Sequence, residues 1–310
     1  MDGVLRAVKI LVTGISGYVG SRLADRFVRD GHAVRGFSRR EVTRDGLEII
    51  RGDAVSGSGL DAALENIEVA YYLIHSMEPS SDGPFGDRER AAALHFAAAA
   101  QAAGVPRIVY LGGLLPERGA ASTHLASRLE VEEVLREAVP ATVAFRASIV
   151  IGAQSRSFRF LVRLVERMPV LAIPAWHTHR TSPVDERDVI EMLVRAATHP
   201  DVEGESLDVG GPDIVTYGEL IDRIRDLMLV GRPTLSFKRL TATPIASRVA
   251  AVIAGEQHEL IGPLMEGLDG DLLPRDDRAA QILGVRMHSL DAAIEHAMRE
   301  WERSEPLAAR

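Results

Sequence analysis

A glycine-rich turn between a predicted strand and a predicted helix constrains the fold of this chain most strongly. The apolar run at 8–12 is typical of a strand buried on both faces, and a helical pattern that ends at Asp30-Gly31 follows the turn. Backbone amides in such a turn can approach a pyrophosphate, whereas larger side chains would block the approach. The residues expected to line a dinucleotide there are Gly14, Ser16, Gly17, Tyr18, Val19 and Gly20.

The first half of the chain alternates short β-branched runs with longer helical patterns, as βαβ units do. We therefore predict an α/β protein in which residues 1–152 form a Rossmann-type, doubly wound parallel sheet that binds NAD(P). Residues 153–310 are expected to form a smaller, discontinuous C-terminal substrate-binding region, from which residues 205–212 rejoin the sheet. The strands of the first half are predicted at 8–12, 33–38, 47–51, 69–74, 107–111 and 142–151.

Helix and loop signals complete this outline. Residues 78–87 are rich in glycine and proline and predict a loop, and the helical patterns beyond residue 152 include one at 260–268. Ser122 is expected to cap a helix that reaches residue 139, and Thr216 with Glu219 matches a capping box.

Composition excludes several classes of function. The 310 residues include no cysteine, which excludes disulfides, thiolate nucleophiles and iron–sulfur clusters. The formal net charge of −8 argues against a nucleic-acid-binding face. No apolar stretch is long enough to span a membrane, and no leader pattern opens the chain. We therefore expect a cytoplasmic protein with a small-molecule substrate and no nucleic-acid or membrane partner; the sequence does not identify a protein partner.

The end of the second predicted strand favours NADP (NADPH) over NAD. An NAD site places a carboxylate there, but no acidic residue lies between Asp30 and Glu41. The chain has Ser38, Arg39 and Arg40 instead, and a guanidinium can pair with a 2′-phosphate that a carboxylate would repel. The alternative is that these arginines form only a solvated loop face.

Two further segments are expected beside the cofactor. Asp53, followed by Ala54, comes after the third strand, where it could accept a hydrogen bond from an adenine amino group or cap the short helix that follows. Leu73, Ile74 and His75 end the fourth strand at the carboxyl edge of the sheet, where ligands bind in such folds. His75 is interpreted either as a contact of cofactor or substrate or as a hydrogen-bonded structural histidine.

The glycine turn, Gly52-Asp53 and the segment 210–213 (Gly-Gly-Pro-Asp) resemble the extended and atypical short-chain dehydrogenase/reductase superfamily over nearly the whole chain. The closing segment 283–293 is similar to the last helix of that group. Within the superfamily, the chain most resembles the atypical NmrA-like subgroup, which includes the bacterial YbjT-type proteins. The resemblance implies a retained cofactor fold without the usual active-site motif.

That motif, Tyr-x-x-x-Lys, is absent, since neither Lys9 nor Lys238 follows a tyrosine by four residues. At the corresponding helix start the chain has His124-x-x-x-Arg128, and the resemblance implies a catalytic role for this pair. Spacing of four residues places both side chains on one helical face. The structural alternative is that Arg128 pairs with Glu132 and that His124 caps the helix.

The remaining residues are weaker candidates for a role in the reaction or in metal binding. Gly112-Gly113 occupies the place where relatives have a polar residue that orients a substrate carbonyl, and Arg146 and Ser148 are expected to border the nicotinamide. No metal site is predicted, because His177-x-His179 lacks a third ligand at a telling spacing.

Two functions of different classes follow. The first is an NADP(H)-dependent oxidoreductase acting on a small, largely apolar organic substrate, with Phe158, Phe160 and Trp176 in its pocket or in the core. The second is a non-catalytic NADP(H)-binding sensor or regulatory protein of the NmrA-like type. The missing Tyr/Lys pair and the double glycine favour the sensor, whereas the His/Arg pair favours the enzyme.

Overall fold

A computed structural model describes most of the chain, in the ranges 7–75, 85–117, 122–167, 171–173, 175–229, 231, 234–236 and 270–305. The predicted helix at 260–268 and residues 78–84 of the predicted loop lie outside these ranges. Residues 85–87, which were also expected to belong to the loop, instead begin a helix.

The strands in chain order are β1 (Lys9–Thr13), β2 (Ala33–Ser38), β3 (Glu48–Arg51), β4 (Val69–Tyr72), β5 (Arg107–Gly113), β6 (Val143–Ala147), β7 (Val150–Ile151), β8 (Leu171–Ile173), β9 (Arg180–Thr181), β10 (Val184–Asp185), β11 (Ser206–Val209), β12 (Val215–Thr216) and β13 (Thr234–Ser236). The helices are α1 (Tyr18–Arg29), α2 (Leu60–Leu64), α3 (Phe85–Ala102), α4 (Thr123–Ala138), α5 (Arg156–Arg167), α6 (Glu186–Ala196), α7 (Tyr217–Leu227), α8 (Arg278–Leu283) and α9 (Leu290–Ser304).

Seven strands form one sheet in the order β11-β6-β5-β4-β1-β2-β3, and every neighbouring pair is parallel. The predicted Rossmann-type α/β fold is thereby confirmed. The chain order reverses at β1, where Ile10 lies opposite both Val34 of β2 and Val69 of β4. Parallel sheets of this kind open a crevice at the carboxyl ends of the strands beside such a reversal.

The sheet is buried on both faces, which explains its nearly continuous apolar strands. Ile10 packs in a core with residues of α1, α6 and α8, whereas Leu11 packs with residues of α2, α3 and α4. Tyr71 and Tyr72 divide between the two faces in the same way. A third core, which includes Trp301, is formed mainly by residues of α5, α7 and α9.

The predicted strand at 142–151 is wrong as a single element, because the chain leaves the sheet after Ala147. The Ser148 amide donates to the Val209 carbonyl of β11 (2.8 Å), and β7 then pairs with β10 outside the sheet. The residues that follow the break, 149–151, are β-branched, so the strand pattern continues across it. Strand β11 is an edge strand of the sheet and pairs with β6.

Within the described ranges, no helix combines the length and the apolar character needed to cross a membrane.

Candidate active site

A cavity of about 580 Å³ lies at the carboxyl ends of the central strands, beside the reversal in strand order. Every residue predicted to lie beside the cofactor lines it, with the exception of Arg146. From the glycine turn to the end of β4 these are Gly14, Ser16, Gly17, Tyr18, Val19, Gly20, Ser38, Arg39, Arg40, Asp53, Ala54, Leu73, Ile74 and His75.

The glycine turn leaves the start of α1 accessible to an anion. Gly17 is the N-cap, no side chain caps the helix, and its first turn contains no acidic residue. Gly14 adopts a positive φ of 66°, and a Cβ there would lie 2.6 Å from the carbonyl oxygen of Leu73. The turn therefore packs directly against the end of β4, and the N-terminus of α1 offers the amides and dipole that bind a pyrophosphate.

The end of β2 presents Arg39 and Arg40 at the exposed rim of the cavity. The Ser38 hydroxyl accepts from the Arg40 amide (3.2 Å), which holds the turn that carries both guanidinium groups. Two guanidinium groups at this rim are suited to a phosphate on the adenosine ribose.

Asp53 also lines this part of the cavity, but it does not cap α2, so that alternative is wrong. Its Oδ1 accepts from the Val55 amide (2.9 Å) and closes the turn at 53–57, while Gly59 is the N-cap of α2. Asp53 lies too far along the chain to cap α2, because the turn separates it from the helix by several residues.

At the other end of the cavity, Arg128 contacts two histidines. Its Nε donates to Nε2 of His124 (3.2 Å), and its Nη1 lies 2.6 Å from Nδ1 and 3.0 Å from Nε2 of His75. Tyr110 of β5 donates its hydroxyl to the Arg128 carbonyl (3.1 Å), which ties the helix turn to the sheet. The pair predicted on one face of α4 is thus in direct contact, and His75 joins it.

Burial and the Arg128 charge lower the pKa of His124 to about 4. The ring is therefore neutral at pH 7, and the nitrogen that accepts from Arg128 leaves the ring proton on Nδ1. Desolvation and the same guanidinium hold the pKa of His75 well below its usual range, although His75 keeps solvent exposure. His124 is therefore not an imidazolium acid near neutral pH.

The structural alternative for the helix pair is wrong in both parts. Ser122 is the N-cap of α4 and accepts from the Leu125 amide (3.3 Å), so His124 is not the cap. Glu132 does not pair with Arg128, because it binds Arg146 through both oxygens, each at 2.8 Å. The expected place of Arg146 beside the nicotinamide is not observed either, since its guanidinium turns to this buried carboxylate.

A second cavity of about 160 Å³ adjoins the first and shares Ala147, Ser148, Ile149 and Ser157 with it. His124 lines the second cavity, whereas Arg128 lines the first. The remaining described residues that line it are Gly113, Leu114, Leu125, Phe160, Leu161, Thr181, Tyr217 and Leu272. The site is therefore a large cavity of mixed polar and apolar lining that adjoins a small, largely apolar one.

The profile of the NmrA-like family matches residues 6–221, which is more than two thirds of the chain. The chain belongs to the NmrA-like family. A search of curated proteins finds no significant match.

Solved structures resemble the NmrA-like chain in fold. A UDP-glucuronic acid 4-epimerase from Bacillus cereus, in complex with UDP-glucuronic acid and NAD, gives a TM-score of 0.71 at 17% identity and covers 96% of this chain and 100% of its own. An epimerase from Methanothermobacter thermautotrophicus gives 0.73 at 17%, with 96% and 92% coverage. A short-chain dehydrogenase/reductase superfamily protein from Agrobacterium tumefaciens with bound NAD gives 0.70 at 20%, with 95% and 98% coverage.

Sequence reasoning missed the start of α5 in this NmrA-like protein. Gln154, Ser155, Arg156 and Ser157 line the cofactor-sized cavity. Phe37 and Val55 also line it. The sequence pattern could have indicated the role of α5, because this helix begins shortly after β6, as α1 begins shortly after β1. Phe158, Phe160 and Trp176 all belong to the third core, and of the three only Phe160 also lines the second cavity.

Among the described residues, three side chains with metal-ligating atoms lie close together, and they do not include His177 or His179. The atoms of Glu186, His296 and Glu300 lie within 4.8 Å of one another. The Arg22 guanidinium pairs with both carboxylates, so a cation already lies between them.

Proposed function

We propose that this NmrA-like protein is an NADP(H)-dependent oxidoreductase that acts on a small, largely apolar organic substrate. One observation carries the proposal: Arg128 lines the cofactor-sized cavity, and its hydrogen-bonded partner His124 lines the small cavity that adjoins it. A dinucleotide and a substrate in these two places would meet at a contacting pair of side chains.

The choice of NADP over NAD rests on the rim at the end of β2. Arg39 and Arg40 line the cavity there, and no carboxylate lies between Asp30 and Glu41 to accept from a ribose 2′-hydroxyl. The solved neighbours with bound NAD share the fold at 22% identity or less, so their cofactor does not decide this point. The two guanidinium groups supply the charge that a 2′-phosphate requires.

Each part of the cofactor would be bound by a different group of residues. The glycine turn and the start of α1 would bind the pyrophosphate. The phosphorylated ribose would be bound by Ser38, Arg39 and Arg40, and the adenine would be bound by Asp53. The nicotinamide supplies hydride when bound. Arg128 remains cationic and would hold ribose hydroxyls, while neutral His124 would orient the substrate by donating a hydrogen bond from its Nδ1, and the proton of the reaction would be exchanged with water.

The size of the second cavity favours a small substrate. Its volume is about 160 Å³, and an apolar cavity of roughly 150 Å³ accommodates a molecule such as benzene. Two solved neighbours bind UDP-glucuronic acid or UDP-glucose, ligands many times larger. We therefore infer a different substrate class for this chain.

The test is NADPH oxidation by the purified protein with a panel of quinones, enals and ketones. We expect turnover with at least one compound, and we expect His124→Ala to abolish it. His199→Asn is the matched control, because His199 caps a turn away from both cavities and asparagine preserves an N-cap.

A non-catalytic NADP(H)-binding sensor is the second candidate. Gly113 lines the second cavity where a hydroxyl would be expected to polarise a substrate carbonyl, so β5 contributes no such donor. Tight NADPH binding without turnover of any compound in the panel would favour the sensor over the enzyme.

A further inference from the structure

We propose that Ser148, Thr181 and Tyr217 form the polar anchor of the second cavity and hold the oxygen of an uncharged carbonyl compound about one ring in size. The inference rests on the proposed function, because it names the substrate class of the same site. It gives three residues that follow β6 the role of holding a substrate oxygen, for which β5 has only glycine.

The three hydroxyls come from separate segments and converge on one cavity. Ser148 follows β6, Thr181 ends β9, and Tyr217 begins α7, and all three line the second cavity. Ser148 also lines the cofactor-sized cavity, so it lies at the junction of the two. A ligand held by Ser148 would therefore face the cofactor.

The hydroxyls are connected to one another. Ser148 Oγ and Thr181 Oγ1 lie 3.2 Å apart, and Thr181 is also the hydrogen-bond partner of the Tyr217 hydroxyl. Thr181 is almost fully buried, so both of its contacts are made within the protein. Burial raises the pKa of Tyr217 to about 12, against a smaller opposite effect of Thr181, and the phenol is therefore protonated at neutral pH.

Counting protons shows what this chain of hydroxyls can bind. Each hydroxyl has one proton to donate, so three hydroxyls have three. Two bonds within the chain use two of them, whichever direction the bonds take. One O–H donor therefore remains, at Ser148 or Tyr217 when Thr181 donates within the chain and at Thr181 when it accepts both bonds, and a carbonyl oxygen in the cavity would accept it.

The walls of the cavity define the rest of the ligand. Among the described residues that line it, none is an arginine, lysine, aspartate or glutamate, and His124 is neutral at pH 7. A charged ligand would lose its hydration there without gaining a counter-ion. The volume of about 160 Å³ admits a single ring and a short substituent.

The test is a binding measurement with three probes of similar size, by isothermal titration with and without NADPH. Acetophenone has a ring and a carbonyl oxygen, ethylbenzene lacks the oxygen, and benzoate carries a charge. We expect acetophenone to bind about 5- to 10-fold more tightly than ethylbenzene, the effect of one hydrogen bond. Benzoate should bind more weakly than both.

Variants assign the effect to the hydroxyl chain. Ser148→Ala/Thr181→Val/Tyr217→Phe removes every hydroxyl of the chain and should remove the preference for acetophenone, and Thr181→Ser should retain it because the hydroxyl remains. Ser157→Ala is the matched control, since Ser157 lines both cavities but is not part of the chain, and it should retain the preference. The Tm of each variant, measured in parallel, verifies that it is folded.

Equal affinity for acetophenone and ethylbenzene, preferred binding of benzoate, binding of none of the probes, or an unchanged preference in the triple variant would each overturn the anchor. These results are independent of turnover. If the anchor binds acetophenone but NADPH is never oxidised, the oxidoreductase proposal fails and the anchor stands. If NADPH is oxidised but the probe preferences are absent, the anchor fails and the oxidoreductase stands.

Discussion

Arg128 donates a hydrogen bond from Nε to Nε2 of His124, one helical turn away, at 3.2 Å. A guanidinium is always a donor, so the imidazole must accept with this nitrogen and cannot be doubly protonated while the bond exists. The contact therefore selects one tautomer of His124 and leaves Nδ1 with its proton. In the more common Tyr/Lys arrangement the cation promotes loss of a tyrosine proton, whereas here the cation prevents a histidine from gaining one.

The ionisation of His124 should occur far below that of a free histidine. Burial and Arg128 lower the pKa to about 4, so we expect the ring resonances of His124 to titrate near that pH in NMR spectra. The unfolded chain takes up this proton at a higher pH, near 6.5, so the contribution of His124 to stability should be lost as the pH falls from about 6.5 to 4. In Arg128→Gln the pKa should rise, but not fully, because burial remains. A titration of wild-type His124 near pH 6.5 would contradict this account.

Removal of the charges at the rim of the cavity should affect only the phosphorylated cofactor. For the double variant Arg39→Gln/Arg40→Gln, we expect NADPH affinity to fall about 10- to 100-fold and NADH affinity to change little, because charge-assisted hydrogen bonds to a phosphate are lost. Titration calorimetry at fixed ionic strength measures both. The control Arg29→Gln/Arg51→Gln removes two charges that do not line the cavity. Equal losses for NADPH and NADH would refute the assignment.

The ion pair of Glu132 and Arg146 should be a strong structural contact. Both oxygens of Glu132 bind Arg146, and the two side chains are only 4% and 13% exposed. Glu132→Ala would leave a buried guanidinium without its counter-ion, so we expect a loss of about 3–5 kcal/mol in the free energy of unfolding. Urea denaturation measures it. Glu130→Ala, on the same helix, breaks an exposed pair with Arg90 and should cost less than about 1 kcal/mol.

Glu186 should make the protein less stable as the pH rises. Burial and the neighbouring Glu300 raise its pKa to about 8, even though Arg22 lies 3.5 Å away, because Arg22 pairs more closely with Glu300. Between about pH 4.5 and 8 the folded protein holds a proton that the unfolded chain has released, so stability falls as pH increases through this window.

Glu186→Gln keeps the group neutral at every pH. Its stability relative to the wild type should therefore increase between pH 5 and 8, as measured by urea denaturation at several pH values. Glu295→Gln, an exposed position on α9, should show no such trend. A constant difference between Glu186→Gln and the wild type across this range would show that Glu186 is ionised in the folded state.

Local chemistry in the sequence was enough to predict most of the fold and much of the lining of the proposed cofactor site. Gly14, Gly17 and Gly20 act within one turn, Arg39 and Arg40 follow directly from the end of β2, and parallel strands place their carboxyl ends at one edge of the sheet. Caps are equally local, as at Ser122 and in the capping box of Thr216 and Glu219.

Only the tertiary structure decided which side chains contact one another across the chain. Spacing alone allowed Arg128 to pair with Glu132, but the fold brings His75, 53 residues away, to Arg128 and Arg146 to Glu132. Similarly, Ser148, Thr181 and Tyr217 belong to three separate segments, and no local pattern relates them. Backbone propensity and glycine stereochemistry act over a few residues, whereas the partners of a buried charge or hydroxyl are determined by how the sheet and its helices pack.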